Sequence, residues 1–146
     1  MQVQDIMTRN VELITPNTAI REAARLMRED GIGALPVREN DRLVGMVTDR
    51  DIVVRAVADG RANGAATVRD VMSEHAYWCY DDASLDEAGL SMAEHQIHRL
   101  PVLNHDKRLV GIVALADLSC AGADGSDAAK RALKGISEST GQARRD

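Results

Sequence analysis

"RLVGMVTDRDI", residues 42–52, returns as "RLVGIVALADL", residues 108–118, and that return decides the architecture. Either stretch alone reads as an apolar strand that gives way to a polar first turn of helix. Together they are the closing parts of two copies of one unit. Working outward, "VQDIMTRN" from Val3 reappears as "VRDVMSEH" from Val68, and "IREAARLMREDGIGALPV" from Ile20 aligns with "LDEAGLSMAEHQIHRLPV" from Leu85. The unit is about 55 residues long, and the Gly- and Ala-rich "ADGRANGAAT", residues 58–67, joins the copies.

The hydrophobic period changes in the same order within each copy. Ile20, Ala23, Ala24 and Met27 recur at helical spacing, as do Leu85, Ala88 and Met92, and Ser84 with Glu87 has the form of a capping box. "ALPV" and "RLPVL" predict short buried strands; "RLVGMVT" and "RLVGIVA" predict second strands after the turn residues "ENDR" and "HDKR". "DRDIVVRAVADG" then predicts a helix whose Ile52, Val53, Val54, Ala56 and Val57 cover more than one face. A surface helix needs a single apolar stripe, so the surplus is expected to meet a second chain. The expected fold is α+β: two βαββα repeats, residues 1–60 and 61–122, packed about a pseudo-twofold axis. Residues 123–146 form a polar tail in which Ala129, Ala132, Leu133 and Ile136 fall at the spacing of a short helix.

Composition excludes several function classes. Eighteen Lys and Arg against 23 Asp and Glu leave a net charge of -5, and there is no Phe; a basic, ring-bearing surface for nucleic acid is absent. No leader pattern and no run of 18 apolar residues is present, so a cytoplasmic chain with no membrane span is expected. Cys79 and Cys120 make no disulfide framework and read as small apolar side chains.

On the "DIM" opening, the "GIGALPV" and "QIHRLPV" segments, the "LVG" strand and the acid after it, repeated in one order from Gln2 to Gly122, the chain resembles a tandem pair of cystathionine-beta-synthase (CBS) domains, a Bateman module. The resemblance implies a non-catalytic regulatory module, a disc-like homodimer, that binds an adenine nucleotide (AMP, ADP or ATP) or another adenosyl ligand such as NAD or S-adenosylmethionine in the cleft between repeats. A separate effector protein would be the regulated partner. By the same resemblance Asp51 holds the ribose hydroxyls and Thr48 lies beside sugar and phosphate, chemistry that suits a carboxylate facing a vicinal diol. Similarity to the gamma subunit of AMP-activated kinase assigns His98 and Arg99 to the phosphates, where charge-assisted bonds are strong. Arg50 reads either as a third donor or as a solvated helix-start cation, and Tyr80 either as a neighbour of the base or as part of a strand packed on the dimer. In the second copy Asp117 is retained, Ala114 replaces the hydroxyl residue and Thr15 takes the place of Tyr80, so a weaker or altered site is expected there.

Three other readings compete. An enzyme is disfavoured because no GxSxG, P-loop, GxGxxG or HExxH pattern occurs. A metal or redox module would draw on His75, Cys79, His95, His98, His105 and Cys120, all in the second half, although no close ligand spacing requires it. A scaffold that only dimerises would carry the same repeats with no ligand. An Asp in a first helical turn is, besides, an ordinary helix start.

Overall fold

The computed structural model describes residues 1–12, 14–61 and 65–145. The chain packs into two compact units, a central one, Glu12–Ala76, and a flanking one that joins Met1–Val11 to Tyr77–Asp146. The packed units are therefore offset from the sequence repeats: the "DIM" segment that opens the first copy belongs to the unit built on the second copy, and the one opening the second copy belongs to the central unit.

In the central unit α1, Ile20–Asp30, buries Ile20, Ala23, Leu26 and Met27. Ala24 lies on the exposed face and Leu26 takes the core position instead. Two strands follow, β1, Ala34–Glu39, and β2, Arg42–Thr48. They pair antiparallel from Ala34↔Thr48 to Glu39↔Arg42. Asn40 and Asp41 both have positive φ, 54° and 65°, which is the two-residue turn that matches strand twist and that Asn and Asp tolerate. The strand expected before α1 is reduced to one bridge, Ile14 to Val37. The closing helix differs from expectation: α2, Asp49–Asp51, widens at once into a π-helix, Ile52–Val57. Ile52, Val53 and Val54 are consecutive β-branched residues, which crowd the tight α turn. Ile52 and Ala56 face the core while Val53, Val54 and Val57 are 58%, 49% and 56% exposed.

The flanking unit repeats the plan as β3, Cys79–Tyr80; α3, Leu85–His95; β4, Arg99–Leu103; β5, Leu109–Ala114; and α4, Leu115–Ser119. β3 runs parallel to β4, which pairs antiparallel with β5. At the start of α3 the Ser84 hydroxyl accepts from Glu87 N at 3.1 Å, one half of the expected box. The tail is longer and better packed than its sequence suggests, forming one helix, α5, Gly122–Arg145. Ala128, Ala129 and Ala132 are buried in the unit's core with Met92 and Leu118. Contact is close because α3 presents Gly89, where a Cβ would lie 2.7 Å from the Ala128 carbonyl oxygen. An ion pair, Arg131 to Asp86 at 3.3 Å, adds charge complementarity. Each unit has its own aliphatic and methionine core, with Ile14, Leu35, Val37 and Val47 central to one and Val3, Leu100, Val102 and Val113 to the other. Among the described residues no helix is long and apolar enough to cross a membrane.

Candidate functional site

The strand-to-helix junction at Thr48 is a closed pair of hydrogen bonds. Thr48 Oγ1 accepts from Asp51 N at 3.1 Å, and Asp51 Oδ2 accepts from Thr48 N at 2.9 Å. Each satisfies a donor that a helix start leaves unpaired. The same acid-to-backbone bond recurs wherever a repeat motif begins a helical turn: Asp5 to Gln2 N at 2.8 Å, Asp70 to Thr67 N at 2.9 Å and Asp117 to Ala114 N at 2.8 Å. The "DIM" acids and the acids after the "LVG" strands are thus all caps. Capping alone accounts for an Asp in both repeats.

What distinguishes Asp51 from Asp117 is the reciprocal bond from its N to the Thr48 hydroxyl; the second carboxylate oxygen is spare in both. Among the described residues Asp51 Oδ1 faces only the Arg55 guanidinium, at the 4.0 Å edge of an ion pair, and the side chain stays 18% exposed. A carboxylate offers about four lone-pair sites, so the cap leaves most of the acceptor capacity unused. Beside it Arg50 is exposed, with its backbone N on Asp49 Oδ1 at 2.8 Å and no partner for its guanidinium among the described residues. Gly33, the counterpart of His98, lies against this junction: its carbonyl accepts from Asp49 N at 2.9 Å, and a Cβ there would come within 2.9 Å of the Asp49 carboxylate. Thr15, also in the central unit, is spent on a local turn with Thr18, whose Oγ1 accepts from Thr15 N at 2.9 Å.

Tyr80, His98, Arg99 and Asp117 lie in the flanking unit. There the His98 carbonyl accepts from Leu115 N at 2.8 Å and Arg99 stands opposite Ala114. Both therefore border the Asp117 helix start of their own repeat. The side chains of exposed His98 and half-buried Arg99 carry no hydrogen bond or ion pair among the described residues, which leaves both as free donors. Tyr80 is already engaged: its hydroxyl is 2.5 Å from Lys107 Nζ, and its ring stacks on His105 at 4.3 Å and 12°. Lys107 also stands 4.3 Å over the Trp78 ring. Neither partner follows from the helix and strand periods, because both come from the parallel pairing that sets β3 beside the turn after β4.

Of the six side chains that could have formed a metal or redox centre, Cys79 is chemically the least suited. Burial, with the nearby Glu87 and Asp81 charges, pushes its thiol up to about 12, whereas a metal takes the thiolate. A depression of about 300 Å³ lined by Gly60, Arg61, Ala65, Ala66 and Asp70 lies at the linker, and none of the candidate ligand-binding residues lines it.

Comparison with known proteins gives one family. The family model described as CBS domain matches residues 3–57 and 68–123. The CBS domain-containing protein YhcV of Bacillus subtilis is 47% identical over 117 residues, 80% of this chain and 82% of that protein. A solved structure of Hypoxic Response Protein I with two coordinated zinc ions aligns at a TM-score of 0.77 and 39% identity, covering 84% of this chain and all of that one. Two further neighbours, both 28% identical and covering 82% of this chain and 94% of their own, were solved with ligands. They are the CBS domain pair of MJ0100 with 5′-methylthioadenosine and S-adenosyl-L-methionine, TM-score 0.73, and CBSX2 with AMP, TM-score 0.72.

Proposed function

Because this chain belongs to the CBS-domain family and carries two CBS domains in tandem, we propose that it is a non-catalytic regulatory module that binds an adenosine-containing ligand. AMP, ADP, ATP, NAD and S-adenosylmethionine are the candidates. The observation that carries the reading is the state of Asp51: its position and orientation are fixed by the reciprocal bonds with Thr48, and one carboxylate oxygen is left to accept from a sugar diol. The adenosyl ligands named for MJ0100 and CBSX2 support the ligand class. His98 and Arg99, with unengaged side chains, are assigned to the phosphates, Arg50 to the same anion, and Tyr80 to the base, for which it would have to leave Lys107. Asp117, without a hydroxyl neighbour, and Thr15 belong to a weaker second site. The module works in the cytoplasm, where both free thiols stay reduced. It acts as a homodimer on a separate effector, by binding its ligand more tightly in one arrangement than in another.

Isothermal titration of the full chain with the five ligands tests the reading. Asp51→Ala is expected to lose about 1–3 kcal/mol of binding through the deserted hydroxyl pair. That substitution also removes a cap, so Asp117→Ala, which removes the equivalent cap, is the control and should bind the first equivalent of ligand as the parent does. No heat with any of the five would leave the chain a dimerising scaffold, and equal loss in both variants would tie binding to the intact caps and not to the Asp51 carboxylate.

A further inference from the structure

The turn after β4 brings together a set of side chains that the nucleotide reading does not use. Asp81, Asp82 and His105 each offer one ligand atom, and the three atoms lie within 4.8 Å of one another. The backbone beneath them is pinned on both sides. Asp81 N donates to the Leu103 carbonyl at 2.9 Å, and Gln4 N donates to the Asp81 carbonyl at 2.9 Å. The turn carrying His105 is closed by Asn104 Oδ1, which accepts from both Asp106 N and Arg108 N at 3.0 Å.

The imidazole is oriented as well as placed. Tyr80 stacks on one face of the His105 ring, and Nε2 points at Asp82 Oδ2, 2.7 Å away. One cation of the same turn, Lys107, is drawn off to the Tyr80 hydroxyl and the Trp78 ring. Asp81 has no ion-pair partner among the described residues, and Asp82 has only His105.

The other repeat is an internal comparison. At the positions of Asp81 and Asp82 it has Pro16 and Asn17, and its β1–β2 turn, Glu39, Asn40 and Asp41, holds no histidine. Two copies of one fold thus differ here in the direction of ligand chemistry: an imidazole and two carboxylates on one side, and a proline, an amide and no imidazole on the other. Asp81 N makes a bond to the Leu103 carbonyl that Pro16 cannot make, but that bond calls for no particular side chain at either aspartate and for no imidazole on the turn.

We propose that Asp81, Asp82 and His105 form a site for a divalent transition-metal cation, with zinc the best fit. One nitrogen and two oxygens are a donor set that zinc accepts with a fourth position open to water or to another ligand. The imidazole selects against magnesium and calcium, which take oxygen alone. Ligand atoms around tetrahedral zinc stand about 3.4 Å apart for bonds of about 2.1 Å, a spacing between the 2.7 Å of His105 Nε2 to Asp82 Oδ2 and the 4.8 Å limit on the three. His105 and Asp82, 63% and 50% exposed, are free to adjust to it.

Calorimetric titration of the full, chelator-stripped chain with zinc chloride tests the site, with magnesium chloride for comparison. One zinc per chain is expected, with magnesium bound at least about tenfold more weakly, and His105→Ala and Asp82→Asn each lowering zinc affinity by about tenfold or more. Asp81→Asn should do the same, while His75→Ala and Asp51→Ala should leave zinc affinity unchanged; the last keeps this test separate from the nucleotide site. All five changes are at least partly exposed, and circular dichroism verifies that each variant is folded. One equivalent of zinc should also move the ring proton resonances of His105. Absence of zinc heat, or zinc affinity unaltered in folded His105→Ala, overturns the proposal.

Discussion

Gly45 sits so close to Ser73 that a Cβ on it would lie 2.4 Å from the Ser73 carbonyl oxygen. That oxygen accepts from Met46 N at 3.0 Å, and Ser73 N donates back to the Met46 carbonyl at 2.8 Å. Gly111 stands in the same relation to Thr8, where a Cβ would come within 2.8 Å of the carbonyl oxygen and Thr8 and Ile112 exchange two bonds of 2.9 Å. The glycine of each "LVG" strand is therefore there because the chain leaving a "DIM" turn crosses the strand at that point.

Since the obstacle is backbone, no rotamer change relieves it. Gly45→Ala and Gly111→Ala are each expected to destabilise the fold by about 1–3 kcal/mol, the usual cost of forcing extra volume into a packed site. The urea midpoint measures this. A midpoint within error of the parent for both would mean that the crossing segment can part from the strand without loss.

The two thiols should differ sharply in reactivity. Cys79 is pushed up to about 12 by burial and by the Glu87 and Asp81 charges, whereas Cys120 is exposed. At pH 8 the folded Cys79 is held as the unreactive thiol. Titration with a thiol reagent should therefore find one fast thiol in native protein and two in denaturant, with Cys120→Ser abolishing the fast one. The sign of the pH effect follows: the folded state holds the Cys79 proton more tightly than the unfolded state, so this contribution to stability is intact below pH 9 and is lost as pH rises toward 12.

Val53, Val54 and Val57 are about half exposed on the π-helix of the central unit, although each is apolar and β-branched. If this face joins two copies, Val54→Asp places like charges and unpaired carboxylates at the contact and should weaken self-association by about tenfold or more. Sedimentation velocity over a range of concentrations reads the change. Parent and variant sedimenting alike as dimers would remove this face from the interface, and both sedimenting as monomers would remove the dimer.

Much of this fold is legible in the sequence because local signals agree with tertiary ones. The apolar spacing from Ile20 and from Leu85 marks two helices, and "END" marks a turn in which Asn40 and Asp41 take positive φ. The rest depends on contacts that a local pattern does not encode. A repeated opening motif does not say which copy it packs on, so the pairing of Thr8 with Ile112 is hidden. α5 docks through Ala128, Ala129 and Ala132 against Gly89, and small residues leave only a faint hydrophobic stripe. At the site, Thr48 and Asp51 were readable as a pair because a hydroxyl and an acid three residues apart at a strand end are a cap. The partners of Tyr80 were not, since Lys107 and His105 arrive from a turn 25 or more residues away in sequence.

The asymmetry between the repeats can be reversed with one atom group. Asp117 Oδ2 accepts from Ala114 N at 2.8 Å, yet Ala114 has no hydroxyl to accept from Asp117 N as Thr48 does from Asp51 N. The backbone at Ala114, φ -112° and ψ 160°, nearly matches that at Thr48, φ -117° and ψ 162°, so a threonine fits without strain. Ala114→Thr should complete the box and stabilise the fold by about 0.5–2 kcal/mol, seen as a higher midpoint in urea. Thr48→Ala should cost a similar amount. If the hydroxyl also serves the ligand, the first variant should strengthen a second binding event in the titration and the second variant should weaken the first. A gain in stability with no change in binding would confine Thr48 to capping and leave Asp51 as the sole ligand contact at that junction.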